Sequence, residues 1–359
     1  MKNVEIAGRP IGADTPPFVI AEISGNHNGN FDRALRLVDA AADAGADAVK
    51  LQTYTADTIT INHDGPGFRI EGGLWDGRTL HDLYNEAHTP WDWHAPLFAR
   101  GRERGLIVLS SPFDASAVDL LEGLEAPAYK IASFEIVDLP LIARAADTGK
   151  PLIISTGMSS LDEIAEAVTT AREGGANGVI LLHCISGYPA PAAEANLRRI
   201  GRLAETFDCV IGLSDHTLGT DVAVAAVAMG ACVIEKHITL ARADGGPDAE
   251  FSLEPDELAH LVTSVRTAYD ALGSSEHGRT SSEIGNAAFR RSLYVVADIT
   301  AGDTITDDQV RSIRPGHGLA PKHLPAVLGA RAARSARRGT PVSWNLIEGG
   351  QPDEGTNER

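Results

Sequence analysis

The amino-acid sequence predicts a (β/α)₈ barrel followed by a small, mostly β domain. Eight short apolar runs recur up to about residue 270, and they are nearly continuous in apolar residues, as expected of parallel strands buried on both faces. Alanine-rich amphipathic segments between them indicate crossover helices. The 359 residues suffice for a barrel of roughly 250 residues with a further domain. A doubly wound sheet is the alternative, but no glycine-rich dinucleotide fingerprint follows the first run.

The barrel elements are predicted in order from these runs. The expected strands are Phe18–Ile23, Ala48–Gln52, Leu106–Ser110, Ala128–Ile131, Leu152–Ser155, Val179–His183, Val210–Leu213 and Cys232–Glu235. Glycines at the ends of the intervening segments are typical helix stops: Gly45, Gly105, Gly149, Gly174 and Gly230. Ser160 followed by Glu163 predicts a capping box that opens a helix over Leu161–Arg172. We therefore assign the barrel to residues 1–272.

The rest of the chain departs from this alternation. The aromatic-rich segment 75–94, between the second and third strands, is an insertion that either packs outside the barrel or forms a substrate-facing loop. Residues 273–289 are polar and predict a linker. Residues 290–348 predict the small β domain, beginning with a strand over Ser292–Ile299. The last residues, 349–359, predict a disordered tail.

Composition excludes several classes of partner. The formal net charge is −18, which argues against nucleic acid and against an anionic membrane surface. The beginning of the chain lacks the apolar core of a secretory signal, and the longest apolar run is well short of the ~20 residues needed to span a bilayer. Cys184, Cys209 and Cys232 are odd in number and lie in apolar segments. A reduced, cytoplasmic protein is the simple interpretation.

Polar residues concentrate at the carboxyl ends of the predicted strands, where barrel enzymes carry their chemistry. A single polar residue there is typically a solvated side chain or a core side chain whose hydrogen bonds are satisfied. Here, however, all eight strands end in polar residues. In strand order they are Glu22; Lys50 and Gln52; Ser110 and Ser111; Lys130, Ser133 and Glu135; Ser155 and Thr156; His183 and Ser186; Ser214, Asp215 and His216; Glu235, Lys236 and His237.

These groups predict an anion site beside a metal. Three lysines, Lys50, Lys130 and Lys236, together with several hydroxyls, suit a phosphate plus a carboxylate. We expect this cationic cluster to lower the pKa of nearby carboxyl groups. His216 and His237 follow neighbouring strands, and imidazoles with oxygen ligands suit manganese, iron, cobalt or zinc better than calcium.

At these residues the sequence resembles the sialic acid synthase family. The matching motifs are "AEISGNHNG", "GADAVKLQTYTADT", "SSPFDASAVDLLE", "YKIAS", "STGM", "GLSDHT", "GACVIEKHIT" and "ADGGPD", and the last domain resembles the antifreeze-like (SAF) domain of these enzymes. The resemblance implies a domain-swapped homodimer that condenses phosphoenolpyruvate with an N-acetylated amino sugar. It also implies a divalent cation, Mn²⁺ or Mg²⁺, with Co²⁺ as a further alternative.

The resemblance also implies roles for individual residues. The positions that match phosphoenolpyruvate ligands are Lys50, Ser111, Lys130, Ser133, Ser155 and Ser214. His216 and His237 match metal ligands. The positions that match sugar contacts are Glu22, Gln52, Tyr188 and Asp248, and Glu135 and Glu235 match acids beside the reacting carbons. Arg314 matches an arginine that reaches an N-acetyl group from the partner's SAF domain.

Within the family, the insertion and "LARADGGPDAEFSLEP" resemble the pseudaminic branch, with the legionaminic and N-acetylneuraminate branches as alternatives. Ser186 and Leu240 stand where N-acetylneuraminate synthases usually carry asparagine and aspartate. They predict a less polar pocket, suited to a sugar without its terminal hydroxyl. Gly187, where the pseudaminic branch often carries threonine, departs from that pattern. Two other classes stay open: a lysine Schiff-base aldolase, and a barrel that binds sugar without catalysis.

Overall fold

A computed structural model of the chain describes residues 3–350. The chain folds into two compact units, Met1–Gly273 and Ser274–Arg359. Of the predicted disordered tail, residues 351–359 lie outside the described residues. No described helix is both long and apolar enough to cross a membrane.

The first unit is the predicted barrel. A short antiparallel hairpin, β1 (Val4–Ile6) and β2 (Arg9–Ile11), precedes it. Eight parallel strands then close on themselves, β10 pairing with both β9 and β3. These strands are β3 (Phe18–Glu22), β4 (Ala48–Thr53), β5 (Ile107–Pro112), β6 (Tyr129–Ile131), β7 (Leu152–Ser155), β8 (Val179–Cys184), β9 (Val210–Asp215) and β10 (Val233–His237). All eight predicted strands are confirmed, with ends that differ by at most two residues.

Helices surround this barrel. They are α1 (Phe31–Asp43), α2 (Ala56–Ile59), α3 (Leu80–Ala87), α4 (Trp91–Glu103), α5 (Ala115–Gly123), α6 (Leu139–Ala146), α7 (Leu161–Glu173), α8 (Arg199–Phe207), α9 (Asp221–Ala228) and α10 (Pro255–Leu272). The capping box of α7 is present, since Ser160 and Glu163 exchange hydrogen bonds as predicted. A larger apolar core fills the space between the strands and these helices.

A second apolar cluster fills the barrel's lower interior. Ile6 and Ile11 of the hairpin pack in it with residues near the strand starts, such as Ile20 and Val233. The hairpin therefore plugs the amino-terminal end of the barrel. Because successive strand side chains face opposite sides, the residues two positions beyond these apolar ones, such as Glu22 and Glu235, face the interior at the carboxyl end.

The second unit has its own small core. It contains α11 (Ser281–Ile284), inside the segment predicted as a linker, then β11 (Ser292–Val295), β12 (Val310–Ile313) and α12 (Leu324–Val327). The two strands are antiparallel. The predicted strand Ser292–Ile299 ends at Val295, although Ile299 forms an isolated bridge with Ala336.

Candidate active site

A cavity of about 470 Å³ opens at the carboxyl ends of the barrel strands. Most of the residues that the sequence predicted for a site line it together. They are Lys50, Gln52, Lys130, Ser133, Glu135, Ser155, Tyr188, Ser214, His216, Glu235, His237 and Asp248. Their strand positions explain the convergence, since inward-facing residues of parallel strands end in one layer at the mouth of a barrel.

Four predicted site residues lie elsewhere. Glu22 and Ser111 are buried directly behind the cavity, where both contact Lys50. Ser186 lies beside Cys184, with its Oγ 4.0 Å from the Cys184 Sγ, and is not among the described residues that line the cavity. Arg314 is exposed and follows β12 in the second unit.

The prediction of a third lysine in the anion site was wrong. Lys236 is fully buried on the outer side of the barrel wall, with its Nζ 2.6 Å from Asp215 Oδ2, and it also donates to the Thr217 carbonyl. The reason is strand alternation: Lys236 lies between Glu235 and His237, which face inward. His183 faces outward in the same way, and its Nε2 lies 2.6 Å from the Ala195 carbonyl.

Two lysines and two glutamates form a buried charged floor. Lys50 is ion-paired with Glu22 and lies 3.9 Å from Glu235 Oε1. Lys130 lies 3.6 Å from the same oxygen. The Ser214 hydroxyl donates to Glu235 at 3.0 Å, and Lys50 reaches the Ser111 hydroxyl at 3.3 Å. Nearly complete burial makes each charge depend on its neighbours rather than on water.

The expectation that the lysines lower the pKa of every nearby carboxyl group was wrong. Burial favours the neutral form of Glu235, but Lys130 and Lys50 outweigh it and lower the pKa. Burial raises the pKa of Glu22 despite Lys50, and burial raises the pKa of Glu135 to about 7. Burial likewise raises the pKa of Asp248. Desolvation therefore exceeds the lysines' attraction at three of these four carboxyl groups.

The two histidines of the predicted metal site face each other. Their ring centroids are 5.4 Å apart. His216 Nδ1 lies 3.0 Å from the Ile185 carbonyl. This contact leaves the lone pair of the other ring nitrogen pointing away from the carbonyl, an arrangement typical of metal-binding histidines. His237 Nδ1 is buried without a hydrogen-bond partner in the described part of the chain. Burial lowers the pKa of His237 well below its usual value, so this imidazole is in its neutral, ligating form.

These two side chains fit a divalent cation that takes its other ligands from substrate or water. Within residues 3–350, no group of three or more histidine, cysteine, aspartate or glutamate side chains is arranged to hold a metal ion. The protein's own donor set at this point is therefore a pair of imidazoles, with Glu235 two residues before His237 on the same face of β10.

A serine and glycine turn follows β7 at the anion side. The Gly157 N–H donates to the Ser133 hydroxyl at 3.1 Å. A Cβ at Gly157 would lie 2.2 Å from the Ser186 Oγ and 2.7 Å from the Ser133 Oγ, so a larger residue would displace both hydroxyls. The buried Ser155 hydroxyl makes no hydrogen bond within the described residues, which leaves it available to an anion.

The opposite side of the cavity is built by the loop after β10. Ser24 donates to Asp248, which lines the cavity. Asn26 donates to the Ile238 carbonyl and to Ser252, both at 2.8 Å. The motif after the first barrel strand thus holds the loop that carries Asp248.

The structure also identifies residues that sequence reasoning missed. Cys184 and Tyr54 line the cavity. Counting in twos along β8 from the inward-facing Leu182 would have found Cys184. The insertion faces the cavity, since Trp75, Leu80 and others from it line the wall, and this resolves the alternative left open above.

The expectation that Leu240 makes the pocket less polar was wrong. Leu240 packs against the core between barrel and helices, and it is not among the described cavity-lining residues. Apolar side chains of the insertion, such as Trp75 and Leu80, line the cavity instead, together with Tyr54 and Phe113.

The chain is similar to known proteins along most of its length. The NeuB family profile matches residues 37–277 and the SAF domain profile matches residues 290–348. The chain is 40% identical to the pseudaminic acid synthase of Helicobacter pylori, over 93% of this chain and 98% of that protein. It is 36% identical to the N,N'-diacetyllegionaminic acid synthase of Legionella pneumophila, over 96% of this chain and 99% of that protein. The N-acetylneuraminic acid (sialic acid) synthetase structure from Leptospira borgpetersenii aligns with a TM-score of 0.72 at 34% identity, covering 79% of this chain and 95% of that one.

Proposed function

The chain belongs to the NeuB family and carries a SAF domain, and from that premise we propose that it is a pseudaminic acid synthase. The proposed reaction condenses phosphoenolpyruvate with 2,4-diacetamido-2,4,6-trideoxy-L-altrose and releases phosphate. The observation that carries the proposal is the meeting of Lys50, Lys130 and Glu235 with His216 and His237 in one cavity.

The charged floor suits phosphoenolpyruvate. Lys50 and Lys130 supply two cationic charges, and the Ser133 and Ser155 hydroxyls supply directed donors beside them. The two lysines are already held in place by Glu22 and Glu235, so binding the anion demands little rearrangement of them. Because water is excluded from this buried floor, each contact between a lysine and an anionic group of the substrate is stronger than it would be in water.

The reaction forms one carbon–carbon bond and breaks one carbon–oxygen bond. The methylene carbon of phosphoenolpyruvate attacks the aldehyde carbon of the sugar, and the aldehyde oxygen takes up a proton. Water adds to the former enol carbon and loses a proton, which leaves a tetrahedral carbon that carries both a hydroxyl and the phosphate. Phosphate then leaves with its carbon–oxygen bond broken, while the hydroxyl loses its proton and becomes the keto oxygen of the product. Carboxyl groups with different proton affinities can serve both transfers.

The pKa values divide the acids between these roles. Glu235 stays ionised beside Lys130 and Lys50, so it suits stabilising the transient cation or accepting the proton from water. Glu135 lines the cavity and its pKa is raised to about 7, so it suits holding a proton for the aldehyde oxygen. The pKa of Glu22 is also raised, but Glu22 lies behind the cavity, where it holds Lys50 in place. Gln52 orients Glu22, because its amide donates to Glu22 Oε1 at 3.1 Å.

A divalent cation, Mn²⁺ or Mg²⁺, would be held by His216 and His237. When bound, it supplies Lewis-acid polarisation of the sugar's aldehyde. Both imidazoles are already arranged to bind the ion, since the Ile185 carbonyl orients His216 and burial keeps His237 neutral.

The pseudaminic product is supported by the 40% identity to the Helicobacter pylori enzyme. Legionaminic acid synthesis is the alternative, supported by 36% identity to the Legionella pneumophila enzyme.

A Schiff-base aldolase is a second candidate, because burial lowers the pKa of Lys130 and a neutral amine is the nucleophile of that chemistry. Borohydride trapping of a covalent adduct, with turnover that survives a chelator, would favour the aldolase.

The test is phosphate release with phosphoenolpyruvate and Mn²⁺, with three acceptors in parallel. The acceptors are the 2,4-diacetamido-trideoxy altrose, its manno counterpart and N-acetylmannosamine. We expect release with the altrose, abolished by a chelator. Preferential release with another acceptor would keep the chemistry and overturn the product; no release with any acceptor would overturn the proposed function.

A further inference from the structure

A buried ion pair joins β9 to β10 immediately beside the two histidines. Lys236 and Asp215 are register partners in the parallel pairing of these strands. The Lys236 Nζ lies 2.6 Å from Asp215 Oδ2, and the two side chains are 0% and 2% exposed. Asp215 directly precedes His216 in the chain, and Lys236 directly precedes His237. The ion pair therefore links the two backbone positions from which the imidazoles project.

The same pair closes the turn that carries His216. Asp215 Oδ1 accepts hydrogen bonds from the Thr217 N–H at 2.9 Å and from the Thr217 hydroxyl at 2.8 Å. The Lys236 ammonium also donates to the Thr217 carbonyl at 2.5 Å. One cation on β10 is thus bonded to the residue before His216 and to the residue after it. This arrangement fixes the turn after β9 relative to β10.

The surroundings of the pair are apolar. The other outward-facing residues of the two strands, Ile211, Leu213 and Ile234, belong to the core between the barrel and its helices. Burial of two charges in such a layer carries a desolvation penalty, and an apolar pair of similar volume is often as stable as a buried ion pair. Stability alone therefore gives no reason for Lys236 and Asp215 here. Unlike apolar packing, their hydrogen bonds have a preferred distance and direction.

We propose that Lys236 and Asp215 are positioning residues that hold His216 and His237 in fixed relative positions for a divalent cation. This inference rests on the proposed function, because it takes the two histidines as ligands of that cation. Groups that orient a metal ligand without contacting the metal change metal affinity by about 10- to 100-fold when they are lost. Without the pair, the turn that carries His216 can move relative to β10, and binding the cation must then order it.

The experiment measures Mn²⁺ binding by calorimetry in the presence of phosphoenolpyruvate and without sugar. The first variant combines Lys236→Met with Asp215→Asn, which leaves no buried charge unpaired and keeps an acceptor for Thr217. We expect Kd for Mn²⁺ to rise about 10- to 100-fold. KM for phosphoenolpyruvate, measured at saturating Mn²⁺, should keep its value because Lys50 and Lys130 are unaltered. Asp215→Asn alone is the second variant, and it should also raise Kd because it breaks the ion pair with little change of shape.

Leu141→Ala is the matched control for lost stability. Leu141 is buried in α6, in the core between barrel and helices, and its truncation costs about 2–5 kcal/mol in the free energy of unfolding. It should keep the Mn²⁺ Kd of the unaltered protein, and circular dichroism checks that each variant is folded.

An unchanged Kd in both pair variants, or an equal rise in Leu141→Ala, would overturn the inference and leave the proposed function intact. Absence of Mn²⁺ binding by the unaltered protein would overturn the metal site of the proposed function and the inference together.

Discussion

His216 and His237 lie with their ring centroids 5.4 Å apart, and the ring of Phe251 packs edge-on against both. Pairing of β9 with β10 places the two residues at the same end of adjacent strands. Phe251, in the loop after β10, excludes water from one side of the pair. The two imidazoles are thus set at one point of the cavity by backbone pairing and aromatic packing.

Replacing His237 by alanine should abolish metal-dependent turnover. We expect a loss of at least about 100-fold in kcat, because the loss of a ligand costs at least as much as the loss of a residue that orients one. The measurement is phosphate release against Mn²⁺ concentration, with Mn²⁺ binding followed by calorimetry. The fold should persist, as judged by circular dichroism; full activity in this variant would refute the metal assignment.

Replacing Lys130 by glutamine should weaken phosphoenolpyruvate binding. Loss of a charge-assisted hydrogen bond costs about 1.5–3 kcal/mol, so we expect KM for phosphoenolpyruvate to rise about 10- to 100-fold and KM for the sugar to change little. The control is Lys322→Gln, since Lys322 is exposed in the second unit. A rise in sugar KM alone would contradict the assignment of Lys130 to the anion.

Replacing Lys236 by methionine should destabilise the barrel. Asp215 would remain buried without its cation, which costs about 3–5 kcal/mol in the free energy of unfolding. Urea denaturation measures the loss. Arg144→Met, which breaks the largely exposed pair with Asp119, should cost less than about 1 kcal/mol. Equal losses of unfolding free energy in the two variants would show that the buried Lys236 pair contributes no more to stability than an exposed pair.

Glu135 should make stability depend on pH. Its pKa is raised to about 7 by burial, so the folded protein binds a proton that the unfolded chain has lost, and stability falls as pH rises from about 4.5 to about 7. Glu135→Gln should remove this slope and raise the free energy of unfolding at pH 8 by about 1–3 kcal/mol, a range that allows for partial exposure. Denaturation at pH 5 and pH 8 measures the slope, with the exposed Glu166→Gln as control. An unchanged slope in Glu135→Gln would contradict the raised pKa.

Arg314 is predicted to act in the partner subunit's site. If so, Arg314→Ala and His237→Ala chains, each nearly inactive alone, should recover part of the activity when they are refolded together, because a mixed dimer then contains one intact site. Phosphate release in the mixture measures the recovery. Absence of recovery, with mixed dimers demonstrated by native mass spectrometry, would place Arg314 outside the partner's site.

Local pattern was enough to predict the barrel and most of its site. Continuous apolar runs identified β3 to β10 because strands buried on both faces need apolar residues throughout. Polar residues at the ends of those runs identified Lys50, Lys130, His216 and His237, because parallel strands bring their carboxyl ends to one mouth. The capping box of α7 could likewise be predicted from the sequence, since its two hydrogen bonds join residues that are three apart along the chain.

Only the tertiary structure decided which side chains share the cavity and which protonation state each of them adopts. Lys236 and Lys130 look alike in sequence, yet strand alternation sends one into a buried pair with Asp215 and the other into the cavity. The pKa of Glu135 depends on how much water and cationic charge the fold leaves around it. Trp75 and Leu80 of the insertion line the same cavity as the strand-end residues, and no local period encodes that arrangement. Sequence periodicity thus determined the architecture, because it records burial along one element. The site's protonation states and the lining of its cavity depend on contacts between elements distant in sequence.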